Sequence, residues 1–195
     1  MTSKESASMI SFVFNPAVIA AFAFVILLYP QRDLPTYLSL LGICVTFGTL
    51  VPLVMMHQFS KRGLISDFYV SEKEQRAKPF AGAIASYVVG SVALLLVRAP
   101  TLVTGLMLCY AGNTVIMMLI TLRWKISVHA SGIACPTTVL VYGTGAWAAV
   151  FFSLLLPVGW ARIRLKAHTS WQMLAGALVT IAATWIQLWI YLSIL

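Results

Sequence analysis

The chain has 195 residues, 61% of them hydrophobic and 9% charged, with a formal net charge of +8 and a mean hydropathy of +0.93. Soluble domains are about 45–50% apolar and about 25% charged, so a water-soluble fold is excluded and lipid is the solvent this chain is built for. The basic balance fits a positive-inside bias and attraction to anionic head groups, and nothing in it suggests a nucleic-acid partner.

A membrane-spanning helix needs about 20 mostly apolar residues. Segments 10–29, 36–56, 80–97 and 101–122 meet that length, with Tyr29-Pro30 and Ala99-Pro100 marking turns between them. Phe12–Tyr29 is too long for the core of a cleaved signal peptide and no small-residue cleavage site follows it, so it reads as a retained span. Residues 133–160 read either as one long helix or as a shorter helix that breaks at Gly143-Thr144-Gly145, followed by another over 146–165; glycine pairs favour the break. Segment 171–194 closes the chain. Cys44, Cys109 and Cys135 lie in apolar segments without metal-ligand spacing and read as small core residues.

The predicted fold is therefore all-α: a single integral membrane domain over 1–195, a polytopic transmembrane helical bundle of six to seven hydrophobic segments. With seven segments, Lys4, Lys61, Arg62, Lys73, Arg76, Lys78, Arg123, Lys125, Arg162, Arg164 and Lys166 share one face, leaving Arg32 and Arg98 on the other. The positive-inside rule then makes the basic face cytoplasmic.

Three polar clusters interrupt the apolar sequence. The first, 71–79, brings Lys73, Arg76 and Lys78 to the start of a span, with Pro79 suited to the first helical turn. It reads equally as a solvated loop with short-range ion pairs. The second, 125–132, sets Ser127 and His129 at the mouth of a helix, where free N–H groups and the dipole favour an oxyanion; a lone interfacial histidine also serves as an anchor. In the third, 161–172, Arg162 and His168 are six apart and meet only if the helix ends between them. Arginine grips phosphoryl groups with its rigid fork, and a neutral imidazole is a nucleophile. A snorkelling basic helix end is the competing reading.

The order and spacing of these clusters resemble the signature of the type 2 phosphatidic acid phosphatase superfamily and its haloperoxidase relatives, over roughly 71–176. The family's last motif, S-R-x5-H-x3-D, is similar to Ala161-Arg162, five residues, His168, three residues and Gln172, with Leu174-Ala175-Gly176 behind it. Its P-S-G-H resembles Ile126-Ser127-Val128-His129, and the separation of the two histidines leaves room for two helices. In its first motif, K-x6-R-P, Lys78-Pro79 stands where Arg-Pro belongs and Ser71 where the lysine belongs, with Lys73 and Arg76 near enough to substitute. The chain also inserts an apolar hairpin, 80–122, between the first two motifs.

The resemblance implies a phosphatase that needs no metal or cofactor, acting in the bilayer on a lipid phosphate or prenyl diphosphate. It implies His168 as nucleophile, His129 as the acid that protonates the leaving alcohol, and Arg162, Lys78, Arg76, Lys73 and Ser127 as phosphate ligands. Gln172 takes the orienting place of the family's aspartate, without its charge. Three alternatives stay open: a lipid phosphotransferase, a non-catalytic lipid-binding subunit on the same scaffold, and a transporter. The scarcity of ionisable residues inside the spans disfavours the last.

Overall fold

The computed structural model describes residues 2–67, 70 and 72–194, and among these it contains helices and no strands. Helix α1 (Ser3–Val13) opens with a capping box between Thr2 and Glu5. It meets α2 (Pro16–Leu28) at a 45° bend. The bend is written locally: Asn15 Oδ1 accepts from Ala17 N–H at 3.0 Å and Pro16 occupies the first helical position. Asp33 caps α3 (Leu34–Val45) in the same manner, accepting from Thr36 N–H at 2.9 Å. A π turn over Thr46–Leu50 joins α3 to α4 (Val51–Lys61), just ahead of Pro52. Proline removes one N–H from the helical ladder, and the wider turn absorbs that loss.

After the loop and a 3-10 turn at Lys73–Gln75 come α5 (Ala77–Leu96) and α6 (Thr101–Thr121), then α7 (Val128–Thr144), a 3-10 segment Ala146–Leu154 with α8 (Leu155–Arg164), and α9 (Ser170–Ile194). The break preferred at 143–145 is present: Gly145 has φ of +104°, a left-handed conformation that glycine adopts without cost.

Five helices are long and apolar enough to cross a membrane, Leu34–Lys61, Ala77–Leu96, Thr101–Thr121, Ala146–Arg164 and Ser170–Ile194, and a sixth crossing is counted if bent α1 and α2 form one span. The count of six lies within the expected six to seven, and seven crossings are not reached. The difference is α7, whose 17 residues rise about 26 Å at 1.5 Å each, short of a hydrocarbon core of about 30 Å. It is instead the bundle's central post, buried from His129 to Leu140 and packed against α2, α6 and α9.

In lipid, helices gain nothing by hiding apolar surface, so packing and polar bonds hold them together. Thr180 Oγ1 donates to Ser131 Oγ at 2.8 Å, Asn113 Nδ2 to Thr184 Oγ1 at 2.8 Å, and Gln187 Nε2 to Asn113 Oδ1 at 3.1 Å, stitching α9 to α6 and α7. Phe24, Leu28, Leu94, Leu106, Met107 and Leu188 fill the interior, while Phe22, Leu96, Leu178 and Trp189 face outward. An outward apolar surface of this kind is compatible with a multi-pass membrane protein.

Candidate anion site at one end of the bundle

Three long-range bonds gather the polar clusters at one end. Arg76, at the cap position of α5, donates from Nη1 to Ile126 O at 2.9 Å and from Nε to Val70 O at 2.9 Å. Ser127 N–H donates to Gln172 O at 3.3 Å, tying the start of α7 to the first turn of α9. Arg164 Nε donates to Ser3 Oγ at 2.9 Å, bringing α1 against α8. The N-termini of α7 and α9 therefore open on the same place, and each offers unsatisfied N–H groups and the positive end of its dipole.

Arg162 and His168 meet as their spacing required. Helix α8 ends at Arg164, Lys166 takes a positive φ of 54°, and Arg162 O accepts from Ala167 N–H at 3.0 Å and from His168 N–H at 3.3 Å. The turn thus folds back over the arginine and delivers the imidazole beside it. Arg162 is 2% exposed, Arg76 3%, and both His129 and His168 6%, so four basic side chains are withdrawn from water together. His129 sits on the first turn of α7 against the backbone of Ser11, within electrostatic reach of Arg162, His168 and Arg76.

The orientation of His168 follows from its hydrogen bonds. Thr169 N–H donates to Gln172 Oε1 at 3.1 Å, which identifies that atom as the amide oxygen. His168 Nδ1 lies 3.1 Å from the same oxygen and must therefore carry the proton, leaving the lone pair on Nε2. Gln172 N–H donates to Thr169 Oγ1 at 3.3 Å, so Thr169 and Gln172 also form a capping box for α9. Burial, then Arg76, pushes the His168 imidazole down to about 3, against the opposing hydrogen bond to Gln172. Its ring is neutral at physiological pH.

The positive field acts on its own members. Burial first and Arg162 second bring the Arg76 guanidinium down to about 10. Lys125, half-buried beside the entrance, is lowered by burial and then by Arg76. Asp67 and Glu74 act on Arg76 in the opposite sense. A site that strains the ionisation of its own cations is relieved by binding an anion. Among the described residues no three His, Cys, Asp or Glu side chains cluster to hold a metal ion.

The remaining predicted residues are placed elsewhere or otherwise employed. Lys78, expected where the family keeps an arginine, is exposed on the first turn of α5, and Arg76 occupies the buried position instead. Lys73 lies at the surface, 3.9 Å from Glu74, in a pairing worth little in water. Ser127 is fully buried, but its hydroxyl accepts from Ala130 N–H at 3.3 Å as the cap of α7, so it shapes the cradle rather than reaching into it. Ser71 lies outside the described residues.

Lys125 is the cation that sequence reasoning passed over; its signal was its place two residues ahead of the cap Ser127. The Thr169-x-x-Gln172 pattern ahead of an apolar run was a second signal, since that spacing marks a helix start. From Arg76 and His129 an apolar cavity of about 150 Å³ runs into the bundle between α4 and α5.

No family model matches the chain, and neither a curated protein nor a solved structure matches it.

Proposed function

We propose that this protein is a lipid phosphatase that works through a phosphohistidine, with the buried basic cluster as its catalytic centre. The observation that carries the reading is the tautomer of His168: Nδ1–H engaged by Gln172 Oε1 at 3.1 Å, which leaves Nε2 unprotonated on a ring within electrostatic reach of Arg76 and Arg162. The sequence resemblance to the type 2 phosphatidic acid phosphatases supports the same assignment, and the apolar cavity adjoining the cluster suits an amphiphile with an anionic head.

In this mechanism the bound anion offsets the field that keeps His129 neutral and lets it take up a proton as the imidazolium; His168 Nε2 then attacks phosphorus, the bond from phosphorus to the lipid oxygen breaks, and His129 passes that proton to the departing alkoxide. Water then attacks the phosphohistidine with His129 taking its proton, and phosphate leaves with Nε2 restored. Arg162, Arg76, Lys125 and the N–H groups at the starts of α7 and α9 neutralise the non-bridging oxygens in a preorganised cradle. The basic end of the bundle faces the cytoplasm under the positive-inside rule.

A second reading, a lipid-phosphate binder without turnover, is favoured by Gln172, which offers His168 an acceptor but no negative charge. Phosphate release from a panel of lipid phosphates in EDTA, beside His168→Ala and His129→Ala, separates the two. The phosphatase reading expects release by the wild type and its loss in the His168 variant. Equal release by both, or none from any lipid, removes it.

A further inference from the structure

The bend between α1 and α2 leaves one carbonyl over. Phe14 N–H donates to Ile10 O at 2.9 Å, Asn15 N–H donates to Phe12 O at 3.2 Å, and Pro16 has no N–H to give. The backbone therefore passes over Ser11 O, one of the last carbonyls of α1 and part of the negative end of its dipole. Ser11 is fully buried, and its carbonyl accepts from the imidazole of His129.

The surrounding packing holds that pair in place. Gly132 follows His129 by three residues and so shares its face of α7. A Cβ at Gly132 would lie 2.5 Å from Pro16 Cβ, so glycine is what lets the first turn of α7 seat on the bend. Ile10 and Phe14, on either side of Ser11, pack into the cluster of Ala130, Ile133 and Val158. At the far end of α1, Ser3 Oγ accepts from Arg164 Nε at 2.9 Å.

The bond made by one imidazole nitrogen decides what the other can do. With one N–H given to Ser11 O, the second nitrogen is left to carry the proton that moves. Burial first, then Arg162 and His168, with Arg76 behind them, hold this imidazole well below its ordinary value, and the Ser11 carbonyl opposes them. The other elements packed on α7, namely α2, α6, α9 and the 3-10 segment, carry no charged residue.

We propose, resting on the phosphatase reading, that Ser11 is a positioning residue: its main-chain carbonyl at the α1–α2 bend orients His129 as the proton donor to the leaving alcohol. Helix α1 then does for His129 what Gln172 does for His168, and its dipole end favours the imidazolium that must form.

The test changes the carbonyl and no side chain. In the full chain, in lipid nanodiscs, Phe12 is replaced by its α-hydroxy acid, which turns the Ser11 carbonyl into an ester carbonyl, a weaker acceptor. The same exchange at Met9 removes a helical N–H but leaves Ser11 intact. Nitrogen NMR of the histidine rings, with His129 assigned from His129→Ala, should show one fixed His129 tautomer in the wild type and the Met9 ester, and exchanging tautomers in the Phe12 ester. Turnover of an alkyl phosphate should fall about tenfold in the Phe12 ester, part of what a general acid contributes. A nitrophenyl phosphate, whose leaving group needs no proton, should keep its turnover within about twofold.

Equal losses on both substrates, the same loss in the Met9 ester, or an unchanged His129 tautomer in the Phe12 ester would overturn the proposal. The resonances are read without turnover, so a tautomer that is fixed in the wild type and released in the Phe12 ester, in a protein that hydrolyses neither substrate, counts against the phosphatase reading alone. Turnover with unchanged tautomers counts against the role of Ser11 alone.

Discussion

At the scale of single residues, the site turns on the pair His168 and Gln172. The i,i+4 relation between them was legible in the sequence, and so was the closure of Arg162 onto His168 at a helix end. Arg76 was also read as able to substitute, beside Lys78 and Lys73, but which of the three is buried was not legible. The motif register pointed to Lys78, but Pro79 commits that residue to the first turn of α5, which turns its side chain outward, while Arg76 at the cap position reaches back to Ile126 O. Gln172→Glu keeps the capping box and puts a carboxylate on His168 Nδ1. A charged acceptor strengthens such a bond by about 1 kcal/mol, so turnover should rise about fivefold.

The variant's rate should also acquire an acid limb, since a carboxylate raises the imidazole from its wild-type value of about 3. A pH–rate profile of both proteins measures this. In the wild type the unfolded chain binds the His168 proton near 6.5 and the folded chain only near 3. The contribution of this group to stability is therefore intact above about 6.5 and is lost as pH falls toward 3. His168→Ala should flatten that part of the melting-temperature profile.

Between elements, the decisive contact is the crossing of α9 over the start of α7. A Cβ on Gly176 would lie 2.6 Å from Ser127 O, a backbone atom that cannot swing aside. Gly176→Ala should raise helix propensity yet cost about 1–3 kcal/mol through overpacking. It should also weaken the Ser127 N–H to Gln172 O bond and separate His129 from His168. Loss of activity at temperatures where the variant is still folded, read beside its thermal melt, checks this. The sequence placed a glycine there without showing what it faced, because the approach joins residues 49 positions apart, beyond the reach of local pattern. The ending of α7 at Gly145 was readable, since a glycine's backbone freedom is a local property. The shortness of α7 was read from the same break, whereas its burial from His129 to Leu140 was not, because burial is set by the neighbouring helices.

For the whole molecule, composition alone identified lipid as the solvent, and the outward-facing Phe22, Leu96 and Trp189 agree with it. Sidedness rests on which loops carry the cations. A single cysteine introduced at exposed Ser60, near the end of α4, should react with an impermeant reagent from the cytoplasmic side; labelling only from outside would reverse the orientation. The central claim, that the basic cluster transfers a phosphoryl group through His168, is tested most directly by trapping the intermediate. Rapid acid-free quenching of His129→Ala protein with a lipid phosphate labelled in its phosphoryl group should leave an alkali-stable, acid-labile phosphoryl group on His168. A protein that stays unlabelled while the wild type releases phosphate, or a label on any other residue, would contradict the account.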